Sequence, residues 1–348
     1  MTRKRRARRA SKAKPARPLS IGIDLGTSRS AVVASNGNYY WEESIIGWPK
    51  DFVARKMLGS SVVFGEEALK HSPSLKIVRP LEYGVIREGT EKSEEAVLEL
   101  LGHLFEKAGA DADQPVHAAV GIPAEALKHN RRAIREAVSR YADKLIVVSE
   151  PFAVAYSMNA LDDGLVIDVG AGTTDFCIMH GTMPDPEDQR SLISAGDSID
   201  RHLLELLQDH YPEADFTLNM ARRFKEAHSF VGRSLKSVEV QAPVRGRVQT
   251  FNIAREMKVA CESIMPLIAE TAMDLIANFD PEHQEAVRNN IILAGGGSLI
   301  DGVDGYLEEL FADFAPVKIT RVDEPLYAGA QGALNLAKDM PEEYWEQI

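Results

Sequence analysis

Apolar positions along this chain fall into two patterns: short continuous runs, and stripes that recur at three- and four-residue steps. The runs predict strands at 20–24, 30–34, 116–121, 145–149, 165–168, 174–179, 238–244, 248–253, 290–294 and 317–322. The stripes predict helices at 94–108, 124–141, 151–160, 198–210, 219–230, 255–279, 303–313 and 326–339. In the longest, Met257, Ala260, Ile264, Leu267, Thr271 and Leu275 share one face, and Pro266 predicts a kink within it. Strands interleaved with helices predict an α/β protein.

One phrase occurs twice. SIGIDLGTSRSAVV at 20–33 and LVIDVGAGTTDFCI at 165–178 each pass from an apolar run ending in Asp, through a glycine turn, into a second apolar run. Each predicts a hairpin. In the turns, Gly26, Gly170 and Gly172 let successive backbone N–H groups face one concavity, and Ser or Thr hydroxyls add donors, which suits a phosphate oxygen. Two such turns facing each other would hold a polyphosphate from both sides. Asp24 and Asp168 at the strand ends would then suit a hydrated Mg²⁺. Either turn alone reads as an ordinary β-turn; the matched pair with matched Asp positions points to phosphate. The chain has no P-loop pattern, and the third glycine of a dinucleotide-binding fingerprint is missing.

Two further stretches join them. IILAGGGSLIDG at 291–302 runs from an apolar strand into Gly295, Gly296 and Gly297, with Ser298 placed to cap a helix. Glycines there would let a flat ring lie against the backbone, although alone they read as a flexible loop. In LIVVSEPF at 145–152, Pro151 holds Glu150 extended where a strand gives way to a helix. A carboxylate at that end of a sheet could orient or deprotonate a water attacking a γ-phosphate.

Composition narrows the setting. A chain of 348 residues, 45% hydrophobic and 26% charged, has room for two lobes with their own cores. No apolar run approaches the roughly 18 residues of a membrane span, and the N-terminus lacks an apolar signal region, so a cytoplasmic protein is expected. Cys177 and Cys261 lie in apolar segments and read as buried reduced thiols. Residues 1–18 carry nine Lys/Arg and no acid, whereas the whole chain has a formal charge of −12. Residues 1–19 are therefore expected to form a disordered basic tail on an acidic body. Its partners would be an acidic protein surface or anionic lipid headgroups, with nucleic acid a less favoured choice and simple solubilisation the bland one.

The paired hairpins, the Glu150 segment and the glycine stretch together resemble the nucleotide site of the actin, sugar-kinase and heat-shock chaperone ATPase superfamily. The resemblance spans about residues 20–340. It implies an actin-like two-lobe α/β ATPase fold with the nucleotide in the interlobe cleft. Lobe I would cover 20–160 and recover a C-terminal helix at 326–348. Lobe II would cover 161–325, with a small outer subdomain near 200–254. ATP or ADP and Mg²⁺ are the implied cofactors. Carried over by position, Asp24 would hold Mg²⁺ largely through water, and Gly26, Thr27 and Ser28 would form the first phosphate turn. Glu150 would activate water, and Asp168 would share the metal and the attacking water. Gly170, Ala171, Gly172, Thr173 and Thr174 would form the second phosphate turn, and Gly295 to Gly297 would face the adenosine. ARRFKEAHSFVG at 221–232 resembles the family's helix that sets a Lys-Glu pair against the nucleoside, which nominates Lys225 and Glu226. Bacterial actins often carry an acidic residue shortly before that Lys, where this chain has Arg222 and Arg223.

AGDSIDRHLLELL (195–207) and RPLEYGVI (79–86) resemble the bacterial cell-shape actins. SIIGWPKDFVARKMLGSSVVFGEEAL (44–69) and GALNLAKDMPEEYWEQI (332–348) resemble the magnetosome-associated bacterial actins more closely. The resemblance implies self-association into ATP-dependent cytoskeletal filaments that position magnetosomes, with hydrolysis controlling turnover. A cell-shape or plasmid-segregating filament is the nearest alternative; a small-molecule phosphotransferase and a non-polymerising regulatory ATPase are further ones. The basic tail is longer than the family's short N-termini, which leaves room for an additional anchor or partner.

Overall fold

The computed structural model describes residues 17–83, 85–86, 91–111, 114–124, 126, 131–233 and 236–347. All but the last three residues of the expected basic tail at 1–19 lie outside them, as do most of the first residues of the helix expected at 124–141. Among the described residues no helix is long and apolar enough to cross a membrane.

Two sheets carry the two copies of the phrase. The first has six strands in the spatial order Glu346–Gln347, Lys144–Ser149, Val116–Ile122, Leu19–Leu25, Arg29–Ala34, Tyr39–Glu43. The second has five, in the order Gln189–Leu192, Thr174–Met179, Gly164–Val169, Ile291–Ala294, Ile319–Arg321. In each, the strand that ends in Asp pairs antiparallel with its hairpin partner on one side and parallel with a later strand on the other. Helices against both faces explain why these strands read as continuous apolar runs and not as alternating ones. Ile21, Ile23, Leu165 and Ile167 are fully buried.

One apolar core lies under each sheet, and a third joins them. That third core includes Val148 from the first sheet, Val166 and Ile292 from the second, and Phe152, Ala155, Ala333 and Leu336 from two central helices, Glu150–Met158 and Ala328–Asp339. Those helices cross at backbone contact: a Cβ on Gly332 would fall 1.7 Å from the carbonyl oxygen of Ala153. The later helix also rests on the first sheet, where a Cβ on Gly22 would fall 2.1 Å from the Ala330 oxygen. Each sheet carries an outer piece. A three-stranded sheet (Val63–Phe64, Ile46–Pro49, Leu75–Val78) adjoins the first. A hairpin (Glu239–Val244 with Arg247–Asn252) and the helices Gly196–His210 and Leu218–His228 adjoin the second.

Two helices differ from the sequence expectation. The stripe at 255–279 is two helices, Ala254–Glu262 and Met265–Ala277, because Pro266, lacking an N–H, sits in the first turn of a new helix. The C-terminal helix does not run over 326–348. It ends at Asp339, Pro341 follows, and Glu346–Gln347 returns as an edge strand paired with Lys144 and Leu145. Both cysteines are fully buried free thiols, and burial pushes Cys261 up to about 12.

Candidate functional site

Both Asp-bearing strands present their carboxylates where the sheets end, the usual place for ligands in α/β folds. Asp24 lies level with Gly121 on the parallel neighbour, and Asp168 level with Ala294. The turns that follow are held in shape by the protein. Ser44 Oγ donates to the Gly26 carbonyl at 2.7 Å and shares a hydrogen bond with Ser30 Oγ at 2.9 Å. In the second turn, Gly170 N–H donates to the Thr173 carbonyl at 2.9 Å. The carbonyls of Gly170 and Ala171 accept from Gly196 N (3.1 Å) and Asp197 N (2.7 Å), at the head of the helix Gly196–His210. The turn oxygens are thus satisfied inside the protein, and Ala171, Gly172 and Thr173 line the cleft between the sheets.

That cleft holds a cavity of about 260 Å³. It brings together Asp24, Gly26, Thr27, Ser28, Glu150, Asp168, Gly170 to Thr173, Lys225, Glu226 and Gly295 to Gly297. Thr174 is not among its lining residues. Its side chain is fully buried, and its hydroxyl donates to the Ser194 carbonyl at 2.8 Å.

Asp24, Glu150 and Asp168 form a buried acidic cluster. Burial raises Asp24 to about 6, against the opposing pull of its hydrogen bond with Glu150. Glu150 is raised well above the usual carboxylate range, first by burial and then by the charges of Asp24, Asp168 and Asp175. Asp168 is raised well above its usual range by burial, Asp24 and Asp175. Glu150 Oε1 is buried and has no hydrogen-bond partner among the described residues. So much uncompensated carboxylate marks a place built to meet positive charge or to move protons. Among the described residues no three His, Cys, Asp or Glu side chains are arranged to hold a metal unaided. A cation here would need further oxygens from phosphate and water, as Mg²⁺ commonly does.

The glycine stretch packs against the second Asp. Gly295 has φ +73°, and a Cβ there would lie 2.3 Å from Asp168 Oδ1. A Cβ on Gly297 would lie 2.4 Å from Val169 Cγ1, whereas Gly296 faces open space.

Lys225 and Glu226 reach the cleft already engaged. Lys225 Nζ lies 2.7 Å from Asp200 Oδ1 and donates to the Gly196 carbonyl at 2.8 Å. Glu226 Oε1 accepts from Arg29 Nη2 at 2.8 Å. Arg222 pairs with Asp197 at 2.8 Å and with buried Asp200 at 3.1 Å.

Three participants escaped the sequence reading. Arg29 lies in the repeated phrase itself, and its guanidinium stands 5.3 Å from the Trp41 ring centre. Trp41 also lines the cleft. Asp175, also in the phrase, sits opposite Asp168 in the hairpin and accepts from Ala124 N at 3.1 Å and from Ser191 Oγ. The position of Asp175 in the second copy was the available signal; a charged residue on a buried strand reads locally as an anomaly, not a site.

The chain is similar to known proteins over nearly its whole length. Residues 18–344 match the family model described as MreB/Mbl protein. The chain is 37% identical over 330 residues to the actin-like protein MamK of Paramagnetospirillum magneticum, with 95% of each chain covered. A solved MamK double helical filament matches with a TM-score of 0.91 and 36% identity, covering 93% of this chain and all (100%) of that one. A non-polymerising MamK mutant bound to AMPPNP matches at 0.73, again with 36% identity, covering 94% and 100%. The fold is the actin-like α/β fold, and its conformation lies nearer to the filament subunit than to that mutant.

Proposed function

This chain belongs to the MreB/Mbl protein family, and from that membership we propose that it is a polymerising bacterial actin of the MamK kind. It binds ATP between its two sheets, assembles into filaments and hydrolyses the nucleotide to control their turnover. In the cell these filaments position magnetosomes. The observation that carries the reading is the pair of matched Asp-Gly turns lining one cavity, with an acidic cluster between them.

The chemistry follows from charge and position. Gly26 to Ser28 and Gly170 to Thr173 grip the phosphate chain from opposite sheets. Asp24 and Asp168 would hold Mg²⁺ together with phosphate and water oxygens, and the bound ion would offset the negative charge of the carboxylates and phosphates. Glu150, with one oxygen unpartnered among the described residues, orients the attacking water and accepts its proton. Lys225, Glu226 and Gly296 face the nucleoside. While the γ-phosphate spans both turns the sheets stay closed; its loss leaves them bridged by fewer contacts. Closed subunits stack head to tail, and such heterologous contacts that do not close on themselves make filaments.

The test is high-speed sedimentation of the purified protein with Mg–ATP, with Mg–ADP and without nucleotide, followed by electron microscopy of the pellet. ATP-dependent filaments are expected. A protein that hydrolyses ATP yet never pellets, or whose hydrolysis needs a sugar or acid acceptor, would overturn the filament reading.

A further inference from the structure

The strand Tyr39–Glu43 ends the first sheet on one side, and among the described residues no strand pairs with its outer edge. Register decides what that edge offers. Ala34 N–H donates to the Asn38 carbonyl and Ser44 N–H to the Ser28 carbonyl, so the even-numbered residues between turn their backbone groups towards Arg29–Ala34. Tyr39 and Trp41 therefore turn theirs outward, with no partner among the described residues. Such an edge is a template for another extended segment.

The side chains along it are aromatic and acidic. Tyr39, Tyr40, Trp41 and Tyr327 share a groove of about 380 Å³ with Glu42, Glu43 and Glu66, and among the described residues no Lys or Arg lines it. Tyr39 and Trp41 are exposed, and Tyr39 meets Tyr327 edge to face at 5.5 Å. Glu42 is committed to the Tyr40 hydroxyl at 2.6 Å and lies 3.7 Å from His103. Glu43 keeps one buried oxygen without a hydrogen-bond partner among the described residues, and Arg29 and Arg79 reach it only through space. Glu66 is exposed, with Lys70 beside it at 3.3 Å. Two of the rings already carry a cation from outside the groove: Arg29 stands 5.3 Å from the Trp41 ring centre and Lys107 stands 5.1 Å from that of Tyr40. Ring faces beside carboxylates suit an alkylammonium or a guanidinium.

A run of such cations starts nearby. Leu19 opens the strand next but one to Tyr39–Glu43, and Gly22, Val33 and Tyr39 stand level across the sheet. Strand spacing and rise put the outer side of the edge roughly 17 Å from Leu19, which about six extended residues span. Bridging that gap brings RKRRARR at 3–9 to the groove, six cations against three carboxylates.

We propose that residues 3–9 lie along the outer edge of Tyr39–Glu43 as an added antiparallel strand of the same chain, with their cationic side chains among the rings and carboxylates of the groove. Main-chain pairing holds the segment, and the groove selects its charge. Trp41 also lines the nucleotide cleft, so the strap lies against one wall of that cleft. Its seating does not depend on ATP hydrolysis.

The experiment places a photo-crosslinking benzoylphenylalanine at Ala7 of the full-length, nucleotide-free protein. Equal parts of heavy-isotope and ordinary chains are mixed at low salt and illuminated, and the products are mapped by mass spectrometry. Attachment to residues 39–43 is expected, with both halves of each product carrying the same isotope. Glu66→Lys changes only an exposed side chain and should lower that yield about fivefold. Arg8→Glu with Arg9→Glu touches no described residue and should lower it about tenfold. Attachment elsewhere, or a yield that either variant leaves unchanged, would overturn the proposal. Products of mixed isotope in statistical proportion would also overturn it, because the groove would then take the segment of a second copy.

Discussion

Gly172 and Thr27 meet across the cleft: a methyl group on Gly172 would fall 2.6 Å from the Thr27 hydroxyl oxygen and 3.1 Å from its Cβ. One residue belongs to the hairpin of the second sheet and the other to that of the first, so the two copies of the phrase touch at their turns. Gly172→Ala must therefore push one turn away from the other. Nucleotide affinity should fall about tenfold, the loss of one or two good turn-to-phosphate hydrogen bonds. The melting temperature without nucleotide should barely change. Titration with a fluorescent ATP analogue reads the first and a thermal melt the second; undiminished affinity would mean the turns do not share a ligand.

Glu150→Gln keeps the volume of the side chain and removes the carboxylate proposed as the base. ADP formation should slow by about 10²–10⁴-fold, while ATP-dependent pelleting persists. Normal turnover in the variant would take Glu150 out of the mechanism.

The acidic cluster predicts an unusual response to pH. Asp24 titrates at about 6 in the folded protein against an ordinary 3.8. Between those values the folded chain holds a proton that the unfolded chain has released, so stability falls as pH rises through that window. The effect is on the order of 3 kcal/mol for a shift of about two units. Melts of the nucleotide-free protein from pH 4 to 7 should show this fall, and Asp24→Asn should make it shallower, with Glu150 and Asp168 still contributing. Equal slopes in the two proteins would contradict the account.

Arg29 and Glu226 form an ion pair between the first sheet and the helix Leu218–His228, at 2.8 Å and with both side chains partly exposed (29% and 38%). Pairs of that exposure contribute at most about 1 kcal/mol. Arg29→Glu should therefore speed release of labelled ADP by about fivefold or less, and the double swap Arg29→Glu with Glu226→Arg should recover part of it. A double swap as fast as the sum of the single changes would show that the pair does not hold the cleft.

The repeated phrase was legible because everything in it is local. Apolar runs specify strands, glycines specify the turn, and an Asp at a strand end needs no distant partner to be noticed. Thr174 shows the limit of such reading. Adjacent strand residues point to opposite faces, and which of Thr173 and Thr174 meets the cleft depends on the register of the hairpin. Thr173 lines the cleft, and Thr174 turns inward to Ser194. The C-terminal stretch shows it again: its helical stripe was evident, but the return of Glu346–Gln347 to the first sheet depends on an open strand edge at Lys144–Leu145.

By itself, then, the sequence determined two Asp-Gly hairpins, a glutamate at a strand-to-helix junction, a glycine stretch and the α/β class, since each is encoded within a few residues. Tertiary structure decided that Asp175 reaches Ala124, that Arg29 meets Glu226, and that Arg222 turns to Asp197 and Asp200. It also decided that Arg79, beside the first Asp-Gly turn, has no hydrogen-bond or ion-pair partner among the described residues. The Arg222 pairs depend on the packing of the helix Leu218–His228 against Gly196–His210, and the Asp175 and Arg29 contacts on how closely the two sheets approach. That distance is set by the central helices, packed backbone to backbone where Gly332 meets Ala153, a contact between residues too far apart in the chain for any local pattern to encode.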